Sequence, residues 1–139
     1  MSLADLQALA SVRRHREGQA ERALCQARAA LHECTARAAA AHAHWEQASE
    51  RQVAQRTALC AEHRGRALGA AELRAWATQE RRLMGELAEQ AQGVRTLEAA
   101  RQHQAQQVQA AQQRLTACRR AMEKLGVLTD LLGRAADDE

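Results

Sequence analysis

Apolar residues recur at alternating steps of three and four through the second half of this 139-residue chain. The repeat runs from Leu73 to Leu132 without a slip, and 13 of its 18 positions are apolar. These positions are Leu73, Trp76, Leu83, Leu87, Val94, Leu97, Val108, Ala111, Leu115, Cys118, Met122, Leu125 and Leu132. Such spacing holds one narrow stripe of a helix against a partner helix over many turns. It predicts long helices in a coiled coil, with function residing in contact surfaces.

The first half of the chain carries the same period with smaller and more polar residues. Its apolar positions are Leu3, Leu6, Ala10, Ala20, Leu24, Ala27, Leu31, Cys34, Ala38, Ala41, Trp45, Ala48 and Leu59. The chain contains 34 Ala and no Pro, Phe, Tyr or Ile, so helix formers dominate and strand formers are scarce. The predicted fold class is all-α.

Two glycines within five residues, Gly65 and Gly69, mark the expected turn between the two halves. Gly65 suits a helix C-terminus, where a left-handed backbone conformation is needed, and Gly69 could start the next helix. The predicted organisation of a single domain 1–139 is a first helix at about 2–63, a turn at about 64–70, a second helix at about 71–132 and an acidic tail at 133–139.

A register in which facing residue numbers sum to 135 places large residues opposite small ones. Examples are Leu115 opposite Ala20 and Ala111 opposite Leu24. Alternation of large and small residues lets facing stripes interdigitate without voids. We therefore expect a long two-helix antiparallel coiled-coil hairpin, moderately stable because several layers are polar and Gly interrupts both helices.

The charge pattern does not indicate nucleic-acid binding. The formal net charge is only +3, from 20 basic and 17 acidic residues interspersed along the helices. The run Arg13-Arg14-His15-Arg16 before an apolar repeat invites a basic-leucine-zipper interpretation, but the chain lacks the Asn that such regions use for base contact. A solvated helix face explains the run more simply.

Four scattered cysteines and the absence of a long apolar run lead us to expect a soluble cytosolic protein with reduced thiols. His42, His44 and Glu46 resemble a metal cluster, yet residues two apart point about 200° apart on a helix. We therefore expect exposed histidines, no metal and no cofactor. A two-helix hairpin also offers no water-excluding pocket and the chain has no Gly-rich phosphate loop, so we expect no enzymatic activity.

Five arginines should come together on the hairpin far from the turn. In the register above, Arg13, Arg14 and Arg16 lie near Arg119 and Arg120 of the returning helix. We call these five residues the basic collar. Clustered guanidinium groups suit pairing with carboxylates of a protein partner, although a collar that only solubilises the hairpin is an equally simple interpretation.

A second candidate surface lies beside the turn. Leu68, Leu73 and Trp76 gather apolar area there. Trp76 fits the repeat, so packing against Leu59 is its default role. Leu68 lies in the turn, has less reason to be buried, and could anchor a partner.

The opening LADLQALASVRRHR at 3–16, the AELRAW stretch at 71–76 and the Ala/Gln/Arg-rich hairpin pattern resemble the YscO family of type III secretion stalk proteins, which is related to flagellar FliJ. The resemblance covers most of the chain. It implies a cytosolic, monomeric α-hairpin at the cytosolic face of the secretion apparatus, similar to the coiled coil of a rotary ATPase stalk.

The resemblance also implies three partners. The end far from the turn would insert into the hexameric secretion ATPase and assist ring assembly and hydrolysis, so the basic collar would meet the ring. The turn end would face the export-gate membrane protein, with Leu68, Leu73 and Trp76 as candidate contacts. Secretion chaperones could bind along the hairpin. No nucleic acid and no direct membrane insertion are expected.

Two alternatives remain open from the sequence. One is a structural coiled-coil adaptor or tether without any ATPase link, which could self-associate. The other is a secretion chaperone, although such proteins usually need a more compact fold that carries a groove. A dimer in solution would favour the adaptor, whereas the stalk interpretation predicts a monomer.

Overall fold

The computed structural model describes residues 2–138 and contains two long α-helices within that range. Helix α1 comprises Leu3–Glu62 (60 residues), and helix α2 comprises Ala70–Asp137 (68 residues). No strand occurs among the described residues. The all-α helical hairpin predicted from the sequence is confirmed.

Helix α2 continues five residues beyond the end expected from the sequence, to Asp137 instead of residue 132. Gly133 does not stop the helix, because the residues after it are Arg134, Ala135 and Ala136, which favour helix. Arg134 lies in the last turn, where a positive charge complements the helix dipole. Most of the stretch that the sequence predicts as an acidic tail is thus helical, while residues 1 and 139 lie outside the described range.

At the turn, Gly65 follows the end of α1 and Gly69 precedes the start of α2. Gly65 has a φ of +80°, the left-handed conformation expected at a helix C-terminus. The N–H of Arg66 donates to the carbonyl of His63 at 3.1 Å and closes the turn. The carbonyl of Gly69 accepts the N–H of Leu73 at 3.1 Å, so Gly69 is the residue from which α2 starts.

Two compact units make up the chain, and each takes a stretch from both helices. The first, which we call the terminal unit, comprises the chain up to His32 and from His103 onward. The second, the turn unit, comprises Glu33–Gln102.

The terminal unit has a continuous apolar core between α1 and α2. Its buried cluster comprises Ala20, Leu24, Val108, Ala111 and Leu115, with Ala27, Leu31 and Cys118 packed against it. Three layers of the predicted register fall within this group. Leu6 and Leu125 are also buried, each with 2% of its surface exposed. Alanines of one helix pack among leucines of the other, so the two helices can approach each other closely.

The turn unit is packed more loosely. Ala38 is its one buried hydrophobic residue among the described positions, at 6% exposed. Polar contacts join the helices instead: the Gln52 amide donates to Glu80 at 3.3 Å, and the Arg56 guanidinium lies 3.2 Å from the same carboxylate. Such partly solvated contacts contribute less than buried apolar area.

Candidate functional site

The basic collar lies entirely within the terminal unit, but its five arginines do not share one environment. Arg13 is half-buried, whereas Arg14, Arg16, Arg119 and Arg120 are exposed. Both helices contribute, as the predicted register requires. Arg13 and Arg119 contact the other helix, whereas Arg14, Arg16 and Arg120 make no hydrogen bond or ion pair across the interface within residues 2–138.

Arg13 reaches across the helix interface. Its Nη1 donates to the backbone carbonyl of Ala121 on α2 at 2.8 Å. A carbonyl oxygen inside a helix has a second lone pair available, so this bond need not break the helix. The small side chain of Ala121 gives the guanidinium access to the backbone. Arg13 thus joins the two helices, a role that the sequence analysis did not identify.

Arg119 is occupied by carboxylates of α1. Its Nε lies 3.5 Å from Glu17 and its Nη2 lies 3.4 Å from Glu21. These two acids occur one turn apart on the first helix, so they present their carboxylates on one face. Sequence reasoning missed them, although Glu17 occupies a repeat position opposite Cys118, the neighbour of Arg119. Arg119 therefore has less free capacity for a partner than the collar hypothesis assumes.

The remaining collar residues are more available. The Nε of Arg14 makes only a long hydrogen bond, 3.4 Å, to the carbonyl of Ala10. Arg16 and Arg120 make no ion pair with any carboxylate in residues 2–138. An exposed, unpaired guanidinium can bind a carboxylate bidentately at little desolvation cost.

An open groove of about 460 Å³ adjoins the collar on the surface of α2. Three cationic side chains line it, together with small and apolar residues of α2. The lining residues are Arg13, Ala117, Arg120, Ala121, Lys124 and Leu128. Lys124 did not emerge from the sequence, although its spacing of four residues from Arg120 places both cations on one helix face.

The second candidate surface is an apolar groove of about 330 Å³ in the turn unit. It brings together Leu68, Leu73 and Trp76, the three residues singled out from the sequence. The other lining residues are Leu59, Cys60, His63, Glu72 and Ala75. Leu59 and Trp76 border the same groove, in agreement with their expected proximity. Cys60, His63 and Glu72 also line the groove, and the apolar pattern could not reveal them.

Two of the leucines that line this groove are unusually exposed for apolar side chains. Leu68 and Leu73 leave 38% and 46% of their surface exposed, while Trp76 is half-buried. Leu68, three residues after the left-handed turn at Gly65, lines the groove together with Leu59. Clustered exposed apolar side chains around a large aromatic ring are typical of contact surfaces.

The histidine cluster singled out from the sequence is not a convergent site. The imidazole Nδ1 of His42 lies 3.7 Å from Glu46, and its ring is 6.1 Å from that of Trp45, while His44 is exposed. No group of three or more His, Cys, Asp and Glu side chains within residues 2–138 is arranged to hold a metal ion. Neither described helix has a stretch both long and apolar enough to cross a membrane.

Two carboxyl groups have a lowered pKa, each for a local reason. The backbone N–H of Ser2, followed by its hydroxyl, lowers the pKa of Asp5 by donating to the carboxylate at 3.0 and 2.8 Å. The hydrogen bond from Arg101, at 2.6 Å, lowers the pKa of Glu98. Ser2 precedes α1 and caps its first turn, whereas Glu98 and Arg101 lie one turn apart on α2.

Comparison of the chain with known protein families, curated proteins and solved structures found no match.

Proposed function

We propose that this chain is the central-stalk component of a type III secretion system, of the YscO/FliJ-like kind. In this role it binds the secretion ATPase ring, promotes ring assembly and hydrolysis, and links the ring to the export gate and to secretion chaperones. It acts as a cytoplasmic monomer at the cytosolic face of the apparatus. The sequence resemblance supplies the family.

The observation that carries the proposal is the hairpin itself, with a different contact surface in each unit. The terminal unit presents cations at Arg14, Arg16 and Arg120, and the turn unit presents an apolar groove. A linker between two different partners needs two chemically different surfaces. A coiled-coil stalk requires long helices, and α1 and α2 run for 60 and 68 residues without a break.

Within this proposal, the ring contact belongs to the basic collar, chiefly to Arg14, Arg16 and Arg120. Arg119 contributes less, because Glu17 and Glu21 already neutralise it. The export-gate contact belongs to the groove around Leu68, Leu73 and Trp76.

The alternative is a structural coiled-coil adaptor or tether without an ATPase link. The exposed apolar residues outside the main helix interface favour it. Leu128 and Leu131 leave 50% and 57% of their surface exposed. Apolar side chains in such positions commonly serve protein association. Sedimentation of the full chain as a dimer would support this adaptor.

The deciding experiment measures ATP hydrolysis by the secretion ATPase of the same organism, titrated with the full chain at constant salt. The stalk proposal predicts a saturable rise at about one chain per six ATPase subunits, because a closed hexameric ring has one central axis. An unchanged rate, from an ATPase shown to form its ring, would sink the stalk proposal and leave the adaptor.

A charge-reversed variant tests the collar within the same assay. R14E/R16E/R120E should retain its helical circular dichroism and lose stimulation of the ATPase. The matched control R22E/R28E/R51E changes the same number of charges at exposed positions outside the collar. Equal stimulation by the two variants would remove the collar from the ring contact.

A further inference from the structure

Helix α2 carries a second apolar stripe, most of which α1 leaves exposed. Its residues follow alternating steps of four and three along the last part of the helix. They are Ala117, Ala121, Lys124, Leu128, Leu131 and Ala135. At 3.6 residues per turn, this stripe is rotated by roughly a third of a turn from the buried stripe that contains Leu115 and Leu125. Five of its six positions are apolar.

Burial confirms that the two stripes differ in their partners. Leu115 and Leu125 are 6% and 2% exposed, whereas Leu128 and Leu131 are 50% and 57% exposed. A 3-4 spacing is the pattern by which a helix contacts another helix lengthwise. The outer stripe of α2 therefore has the geometry of a helix-binding face, which α1 contacts through Arg13 at Ala121 but leaves exposed at Leu128 and Leu131.

The groove described above runs along part of this stripe, and all the charged side chains that line it are positive. Arg13, Arg120 and Lys124 line the groove, and no carboxylate is among its lining residues. Arg120 and Lys124 make no ion pair with a described carboxylate, so their charges are available. Ala117 and Ala121 form a floor of small side chains, over which a second helix backbone can approach closely.

We propose that this outer stripe binds an acidic amphipathic helix of a partner protein. Apolar residues of the partner, at 3-4 spacing, pack between Ala121, Leu128 and Leu131. Carboxylates beside them pair with Arg120 and Lys124, with Arg13 at the border. Charge complementarity selects the occupant, and the apolar stripe supplies the contact area. This inference rests on the side chains of the terminal unit and does not depend on the stalk function.

A second copy of the chain is a poorer occupant of the same face. A two-fold symmetric contact brings each surface against its own equivalent. Centred on Lys124, such a contact would place Lys124 against Lys124 of the other copy, with each Arg120 opposite Leu128. Like charges in an interface oppose association, so this face favours a partner of opposite charge.

Isothermal titration calorimetry of the full chain with two synthetic helical peptides tests the inference. Both peptides carry the same Leu/Ala stripe at 3-4 spacing, flanked by Glu in one and by Lys in the other. We expect the Glu peptide to bind at least about ten times more tightly than the Lys peptide, and to weaken as salt screens the ion pairs. Equal affinities would overturn the proposed charge selection.

Variants locate the site. R120E/K124E should lose at least about tenfold in affinity for the Glu peptide, whereas the matched reversal R22E/R28E on α1 should lose far less. L128Q/L131Q should also lose affinity, because it removes the apolar contact while leaving the charges. These positions are exposed, so helicity should be retained and is checked by circular dichroism. If R120E/K124E binds as the control does, the assignment to this stripe is wrong.

Sedimentation velocity of the full chain tests whether a second copy of the chain binds this face instead. We expect a monomer at the concentrations used for calorimetry. A dimer that L128Q/L131Q dissociates would show that a second copy occupies the face, which would overturn the proposed partner.

Discussion

At the scale of single residues, burial and charge make unequal contributions to stability. Leu115 and Arg119 lie one turn apart on α2, and both contact α1, but Leu115 is 6% exposed whereas the Arg119 side chain is 57% exposed. An ion pair that solvent can reach contributes little, because water and salt screen it. Leu115 should therefore stabilise the hairpin more than Arg119 does, even though Arg119 faces two carboxylates.

Substitution of these neighbours should reveal the difference. Leu115→Ala removes buried methyl groups and leaves a cavity, so we expect a loss of about 2–4 kcal/mol in the free energy of unfolding. Arg119→Gln should cost less than about 1 kcal/mol. Urea denaturation followed by circular dichroism measures both values, with Val127→Ala as an exposed control. Equal losses at Leu115 and Arg119 would contradict the importance of the buried cluster.

The lowered pKa of Asp5 predicts that the first turn of α1 loses stability in acid. Its folded-state pKa is lowered chiefly by the backbone N–H of Ser2, so the contact stabilises the start of α1 above the ordinary carboxyl pKa. The contribution is lost as the pH falls through the lowered folded-state pKa, and the first turn should then fray. A carbon-13 NMR titration should give Asp5 a lower midpoint than in an unfolded peptide. Ser2→Ala removes the hydroxyl but keeps the backbone N–H, so it should move the midpoint only part of the way towards the peptide value. A midpoint in the unsubstituted chain equal to that of the peptide would argue against the contact.

At the scale of the elements, the helices and the turn could be predicted because local chemistry determines them. The 3-4 repeat and the absence of Pro specify helix, and Gly65 marks the left-handed turn. The C-terminal end of α2 could not be predicted from Gly133, since a single Gly costs only about 1 kcal/mol inside a helix. Neighbouring Ala and Arg residues offset that cost, and α2 continues to Asp137.

The two glycines of the turn should respond differently to alanine. Gly65 has a positive φ, so Gly65→Ala should cost about 1 kcal/mol of stability. Gly69 has no positive φ, and no atom within 4 Å would meet an added Cβ, so Gly69→Ala should be neutral or slightly stabilising. Thermal unfolding of the two variants compares them directly. A larger loss at Gly69 would contradict the assigned turn conformation.

The candidate surfaces could be predicted only in part from the sequence. Apolar residues near the turn were identified because Leu68 lies outside the repeat and Leu73 and Trp76 begin it. The pairing of Arg119 with Glu17 and Glu21 was missed, because the repeat specifies which residues face the other helix but not how long side chains bend towards neighbours. The same reason explains why Lys124 was missed as a groove residue.

At the scale of the whole molecule, the apolar core is unevenly distributed. Of the eight buried hydrophobic residues among the described positions, seven belong to the terminal unit and only Ala38 belongs to the turn unit. Gly85 and Gly93 lie in α2 of the turn unit, and each costs about 1 kcal/mol in helix propensity relative to Ala. Regions with few buried apolar contacts open at a lower free energy than the rest of a structure.

Hydrogen exchange should therefore divide the chain into two levels of protection. We expect backbone amides at 40–60 and 75–95 to exchange before those at 18–31 and 104–118, measured by mass spectrometry at neutral pH. Gly85→Ala and Gly93→Ala together should slow exchange in the turn unit, because each removes about 1 kcal/mol of propensity cost. Uniform protection along both helices would contradict a division in local stability.

The position of Trp76 gives the apolar groove a built-in optical reporter. The chain has two Trp, and Trp76 is the one that lines the groove, while Trp45 lies beside His42. Indole emission shifts to shorter wavelength when water is displaced from the ring. A Trp45→Leu variant would therefore emit from Trp76 alone, so that occupancy of the groove could be followed by light without attaching a dye.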